Sequence, residues 1–310
     1  MRKKELGLSN TIVSELCLGT MYFGTKTDQK TAFKILDRYV SSGGNFIDTA
    51  NNYSWWIGGT GDESEKVLGT WMATNKNRNE VVLASKIGSR PSDPKASRII
   101  YEGLRKETIL SAVDESLKRL KTEYLDVCYI HTDQKEYPLE ERLEALEILK
   151  SHGKIRYKGC SNISNERYLE SENLNEQNKL SSFQAIQQKF SYLLPNNIDK
   201  NAPLKFLNKE MIDITEERGT LLLTYSVLLS GAYSRSWDEI PIEYQSLENK
   251  VLFEKMKFEA KELGCTPSQW VLRWVMNQSK NIIPLIAASS EKQLREGISS
   301  LSFNLKSNVT

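Results

Sequence analysis

Leu16-Cys17-Leu18-Gly19-Thr20-Met21-Tyr22-Phe23-Gly24 is the stretch that separates two candidate architectures. The apolar run Val13–Leu18 reads as a strand, and a turn bearing glycine follows it. A doubly wound dinucleotide-binding sheet places Gly-x-Gly-x-x-Gly at this point, so that the backbone can approach a pyrophosphate. The order Gly19-Thr20-Met21-Tyr22-Phe23-Gly24 is not that pattern. Working outward, seven further runs read as strands: Asn45–Asp48, Val81–Ser85, Leu125–Ile130, Ile155–Cys160, Phe183–Gln187, Leu221–Tyr225 and Ile282–Ile286. Helical periodicities lie between them. Ala32, Ile35, Leu36, Tyr39 and Val40 share one face behind Asp28, a candidate N-cap. Ile109, Val113, Leu117 and Leu120 repeat at three to four residues, as do Leu139, Leu143, Leu146 and Leu149. Gly43-Gly44 and Gly153 stop two of these helices shortly before a strand.

Short strands alternating with amphipathic helices imply parallel pairing with right-handed crossovers. Eight such repeats can close into a barrel, whereas doubly wound sheets usually have fewer strands. The expected fold is therefore an α/β, (β/α)8 TIM barrel forming a single domain over residues 1–310. An N-terminal β-hairpin before the first strand is expected to plug the barrel bottom. Longer connections follow the third, sixth and seventh strands (Ile87–Lys106, Gln188–Pro203, Ser226–Leu247), and long loops on a catalytic rim build pockets or lids. The polar run Ser171–Ser182 reads as a solvated helix end and its connection.

Bulk composition excludes several classes. With 42 basic and 40 acidic residues the net charge is +2, so nothing supports nucleic-acid binding or an anionic membrane surface. No apolar run reaches the roughly 20 residues that span a bilayer, and no apolar signal segment follows Met1-Arg2-Lys3-Lys4-Glu5. Cys17, Cys128, Cys160 and Cys265 are widely spaced without a Cys-x-x-Cys pair, which argues against zinc or a redox dithiol. A reducing, cytoplasmic setting is expected.

Asp48, Tyr53, Lys86 and His131 each fall at or just beyond the C-terminal end of an expected strand. In a (β/α)8 barrel those ends share one rim, where the chemistry is done. A carbonyl accepts hydride only as its oxygen gains a proton, so a positioned acid is required. Tyrosine, with a pKa of about 10, is a poor acid at neutral pH. A neighbouring lysine favours the phenolate, and a carboxylate keeps that lysine charged and aimed. An imidazole can polarise the same oxygen as charge develops. The scheme assigns Asp48 to hold Lys86, Lys86 to tune Tyr53, Tyr53 to give the proton and His131 to orient the carbonyl. None of the four donates hydride, so a reduced nicotinamide is implied. Of the two histidines, His152 precedes Gly153 at a helix end, which suits capping. Two histidines cannot build a three-histidine metal site, so no metal is expected and a barrel hydrolase is unsupported.

In context these residues resemble the aldo-keto reductase family. The resemblance rests on Asn45-Phe46-Ile47-Asp48-Thr49-Ala50 with Tyr53, on Gly61 through Gly69, and on Leu83-Ala84-Ser85-Lys86. Leu117-Lys118-Arg119-Leu120, Tyr124 through His131, Gly153-Lys154-Ile155-Arg156, Gly159-Cys160-Ser161-Asn162 and Gln187 through Leu193 continue it in order. It implies NAD(P)H-dependent reduction of an aldehyde, ketone or sugar, with the same catalytic tetrad and an extended cofactor. It also implies that Ser161, Asn162 and Gln187 hold the carboxamide and that Tyr225 stacks on the nicotinamide. Ser226, Leu228 and Ser230 would follow the pyrophosphate, Gln293 and Glu296 the adenosine, and Thr20 and Met21 would also meet the cofactor. At the last strand the sequence reads Ile283-Pro284-Leu285-Ile286-Ala287-Ala288-Ser289-Ser290, with no basic residue at 287–290 to grip a 2′-phosphate. Lys292 or Arg295 would have to substitute; NADPH remains the expected cofactor ahead of NADH. Trp55 and Trp56 are the expected pocket wall, joined by Phe23, Tyr192 and Trp237. Since the chain ends at Thr310, a lid is expected from the long loops. The alternative implied by the family is a nucleotide-sensing regulatory subunit with slow turnover.

Overall fold

A computed structural model describes residues 1–93, 99–199 and 202–305. Parts of two expected long connections, 94–98 and 200–201, and the chain end at 306–310 lie outside the described residues. Strands β1 (Lys3–Glu5) and β2 (Ile12–Ser14) pair as an antiparallel hairpin. Eight parallel strands then close a barrel: β3 (Cys17–Gly19), β4 (Phe46–Asp48), β5 (Val82–Ile87), β6 (Leu125–Ile130), β7 (Ile155–Ser161), β8 (Ala185–Lys189), β9 (Leu221–Tyr225) and β10 (Ile282–Ala287). Each pairs with its sequence neighbours, and β10 pairs β3 to complete the ring.

The helices are α1 (Gln29–Ser41), α2 (Glu63–Asn75), α3 (Lys106–Leu120), α4 (Leu139–Ser151), α5 (Asn165–Gln177), α6 (Lys209–Arg218), α7 (Leu247–Glu262), α8 (Pro267–Asn277) and α9 (Glu291–Ser299). Asp28 caps α1, its carboxylate accepting from Thr31 N at 3.0 Å, and Ala32, Ile35, Leu36 and Tyr39 bury the expected face. The apolar repeats of α3 and α4 are likewise buried. One hydrophobic layer fills the space between helices and strands. A second fills the barrel axis with Cys17, Phe46, Val82, Ala84, Val127, Tyr129, Leu223 and Ile283. Leu6 and Val13 from the hairpin belong to that inner layer, so the hairpin closes the bottom as expected.

Two readings of the sequence are corrected. Val13–Leu18 is not one strand: the chain turns a corner at Glu15-Leu16 between hairpin and barrel. Asn45 clamps that corner, accepting from Ser14 N at 2.7 Å and donating to Ile12 O at 2.8 Å, while Glu15 accepts from Arg2 N. The polar run Ser171–Ser182 is not simply solvated, because Ser171, Glu172 and Asn175 are buried in α5. Glu172 accepts from Asn175 and from Phe183 N, and Asn175 accepts from the buried Lys158. Hydrogen bonds replace the lost hydration, which is how polar groups are buried without prohibitive cost.

Candidate active site

Asp48 is the last residue of β4, Lys86 the penultimate residue of β5, and His131 follows β6 directly. Strand register therefore delivers three of the expected residues to one rim. Tyr53 comes from the loop after β4, which is shaped by the left-handed Ser54 (φ 69°) and a short 3-10 turn at Trp55–Ile57. Ser54 Oγ donates to Met21 O, and Arg90 holds Asn51 O at 2.6 Å, Thr60 O at 3.1 Å and Asp62 at 2.7 Å. Glu102 accepts from Asn51 and from Gly88 N, tying this loop to the end of β5. Sequence reading missed Arg90 and Glu102 because neither sits in a strand or a periodic helix.

Lys86 Nζ donates to Asp48 Oδ2 at 2.5 Å, to Tyr53 Oη at 2.6 Å and to Thr49 O at 2.8 Å. All three of its protons are thus spoken for. Tyr53 Oη lies 3.2 Å from Asp48 Oδ2, and Gln187 Nε2 donates to Asp48 Oδ1 at 2.8 Å from the far side of the barrel. Asp48 and Lys86 are buried, and Tyr53 is nearly so. Burial, with the Asp48 carboxylate beside it, pushes the Tyr53 phenol well above its ordinary value. Burial pulls the Lys86 ammonium down while Asp48 opposes the shift. The expectation that Lys86 makes the resting phenol more acidic is therefore outweighed, and Tyr53 rests fully protonated.

His131 stands edge-on to Tyr53, with ring centroids 6.3 Å apart. Burial, helped by the Lys86 charge, pushes its imidazole down to about 3, so it is neutral. Its Nδ1 is buried without a hydrogen-bond partner. A buried unpartnered N–H is costlier than an unpartnered lone pair, so the proton belongs on Nε2.

The other expected residues fall into three groups. Ser161, Asn162 and Gln187 are buried and, with the part-buried Tyr225, form one cluster against the tetrad. Asn162 Nδ2 donates to His131 O and Ser161 Oγ, Ser161 Oγ donates to Gln187 O, and Tyr225 Oη donates to Asn162 Oδ1 at 2.6 Å. Ser226, Leu228 and Ser230 lie on the loop after β9, where Ser226, Leu229, Ser230 and Gly231 have positive φ. The hydroxyl of Thr20 is turned inward onto Asp48 O and Ser64, and Met21 is partly exposed. On α9, Gln293 accepts from Ser289, Glu296 accepts from Thr266, and Lys292 and Arg295 are exposed. Trp56 is 44% exposed and packs edge-on against both Tyr53 and the part-buried Trp55. Phe23 is instead enclosed in the outer core, Tyr192 lies between Trp270 and Trp274, and Trp237 packs on Phe253.

The four thiols are unpaired, three of them buried. Among the described residues no cluster of His, Cys, Asp or Glu is arranged to hold a metal, and no helix is long and apolar enough to cross a membrane.

A closed parallel barrel with a buried Asp–Lys–Tyr group and a neutral histidine on its C-terminal rim is the frame of an oxidoreductase acting on carbonyl groups. The chain belongs to the aldo/keto reductase family, whose model matches residues 15–310. It is 30% identical over 312 residues to an uncharacterized oxidoreductase, YrpG, of Bacillus subtilis, covering 98% of this chain and 92% of that one. It is 29% identical over 303 residues to a norsolorinic acid reductase of Aspergillus flavus (93% and 74% covered). It is also 28% identical over 308 residues to an aryl-alcohol dehydrogenase of Pestalotiopsis microspora (94% and 76%). The protein is an enzyme, and its family works with nicotinamide cofactors.

Proposed function

We propose that this chain, as one domain, reduces an aldehyde or ketone to the alcohol with Tyr53 as proton donor and NADPH as cofactor. The observation that carries the reading is the buried contact of Lys86 Nζ with Tyr53 Oη at 2.6 Å and Asp48 Oδ2 at 2.5 Å. The residues present fit the cofactor: the hydroxyl and amide groups of Ser161, Asn162 and Gln187 are gathered within one hydrogen-bonded cluster beside the Tyr225 ring. These would hold the nicotinamide end, and the positive-φ turn at Ser226–Gly231 offers backbone N–H groups for phosphate. When bound, the reduced nicotinamide supplies hydride.

Tyr53 then releases its phenolic proton to the carbonyl oxygen. The resulting phenolate lies against the Lys86 ammonium, so charge that is disfavoured at rest is neutralised when it forms. Asp48 keeps Lys86 charged and aimed, and is itself aimed by Gln187. Neutral His131, with Nε2–H, donates to the same oxygen. Trp56 and Trp55 give an apolar wall suited to aromatic or extended carbonyl compounds, in keeping with relatives named for norsolorinic acid and aryl alcohol. A 2′-phosphate would be met by the exposed Lys292 and Arg295.

The test is NADPH and NADH oxidation over a panel of aromatic aldehydes, short aldehydes, ketones and reducing sugars, run beside Tyr53→Phe. Tyr53→Phe is expected to bind NADPH normally and lose about 10²- to 10⁴-fold in turnover, the usual worth of a positioned acid. Unchanged turnover would remove Tyr53 from that role.

A further inference from the structure

Lys189 is the last residue of β8, two positions beyond Gln187. Side chains alternate along a strand, so Lys189 shares the pleat face of Gln187, whose amide reaches Asp48. Its register partner on β9 is Tyr225. The register therefore sets Lys189 one step above Gln187 and beside Tyr225, on a strand four places from β4 in the ring.

Its surroundings are those of a receptor awaiting an anion. Lys189 is partly buried, with Nζ 4.8 Å from the centroid of Phe206 and 5.9 Å from that of Tyr244. No hydrogen bond or ion pair reaches Nζ among the described residues. Three other cations on the rim are paired with carboxylates: Lys86 with Asp48, Arg90 with Asp62, and Arg142 with Asp133. Burial lowers the affinity of Lys189 for its proton, and the Glu243 charge acts the other way. An ammonium that has lost hydration without gaining a partner gains most from a carboxylate or phosphate. Aromatic faces add cation–π attraction and exclude water without neutralising the charge.

We propose that Lys189 is a specificity-determining residue that binds an anionic group, carboxylate or phosphate, on the carbonyl substrate. The inference rests on the carbonyl-reductase reading above and adds a substrate class to it: a carbonyl compound with an anionic group at its far end.

Two substrate pairs separate the possibilities: 4-carboxybenzaldehyde against benzaldehyde, and glyceraldehyde 3-phosphate against glyceraldehyde. Each is assayed with the unmodified protein, Lys189→Met, Lys189→Arg and Lys189→Glu, while NADPH affinity is followed by fluorescence. For the anionic member of at least one pair, Lys189→Met is expected to lower kcat/KM about tenfold or more, equivalent to about 1.4 kcal/mol. The neutral member and the NADPH affinity stay unchanged, Lys189→Arg retains the preference, and Lys189→Glu reverses it. Equal losses on both members of each pair would overturn the proposal by making Lys189 structural. A weakened NADPH affinity would overturn it by giving the ammonium to a cofactor phosphate. Absence of turnover on all four compounds and across the wider carbonyl panel in the unmodified protein would fall on the reductase reading itself.

Discussion

Replacing Lys86 by Met tests the site at its most connected atom. The substitution keeps most of the side-chain volume and deletes Nζ, with its three contacts at 2.5, 2.6 and 2.8 Å. Asp48, wholly buried, is left with Gln187 and a long contact to Tyr53. Removing one partner of a buried ion pair costs about 3–5 kcal/mol, because the remaining charge keeps its desolvation penalty. Turnover should fall at least as far as in Tyr53→Phe, about 10²- to 10⁴-fold, since the phenolate loses the cation that neutralises it. Urea unfolding and steady-state rates on one aldehyde measure the two effects separately. Adding Asp48→Asn to Lys86→Met removes the orphaned charge, so stability should largely return while activity stays low. That divergence is the signature of a lysine with an electrostatic role in the reaction. If the single variant kept wild-type stability and rate, Lys86 would be a bystander and the proposed mechanism would fail. If activity returned together with stability in the double variant, Lys86 would be structural only.

Other expectations follow from the same geometry. The His131 imidazole drops from 6.5 to about 3 on folding, so between those values the unfolded chain binds a proton that the folded one does not. The contribution of this group is therefore complete above about pH 6.5 and declines as the pH falls toward 3, by at most about 5 kcal/mol. The chemical denaturation midpoint of His131→Gln, measured against pH, should show a shallower slope over that window; an unchanged slope would exonerate His131. Gly69 in α2 approaches α3 so closely that a Cβ would sit 2.3 Å from Arg119 O and 2.7 Å from Leu120 C. Backbone atoms cannot swing aside, so Gly69→Ala should destabilise by about 1–3 kcal/mol despite the better helix propensity of alanine. A more stable Gly69→Ala by calorimetry would contradict that packing.

Much of the architecture was legible in the chain because hydrophobic spacing repeats the physics of each element. The expected faces of α1, α3 and α4 are the buried ones, and each expected barrel strand overlaps an observed one. Asp48, Lys86 and His131 were readable as a group because a parallel barrel carries all its strand ends to one rim. The sequence alone determined the residue types, their order and their rim, since those depend on local periodicity and covalent spacing. Tertiary structure alone decided which groups touch. Only closure of the ring brings Gln187 across to Asp48, and only the Arg90–Glu102 network sets the loop that carries Tyr53. The resting protonation of Tyr53 and the neutrality of His131 were likewise undetermined by sequence, because desolvation is a property of the folded surroundings. Lys189 is hidden in the sequence for a related reason: the strand-like run there ends at Gln187, whereas pairing with Tyr225 extends β8 by two residues and turns a loop lysine into a rim cation.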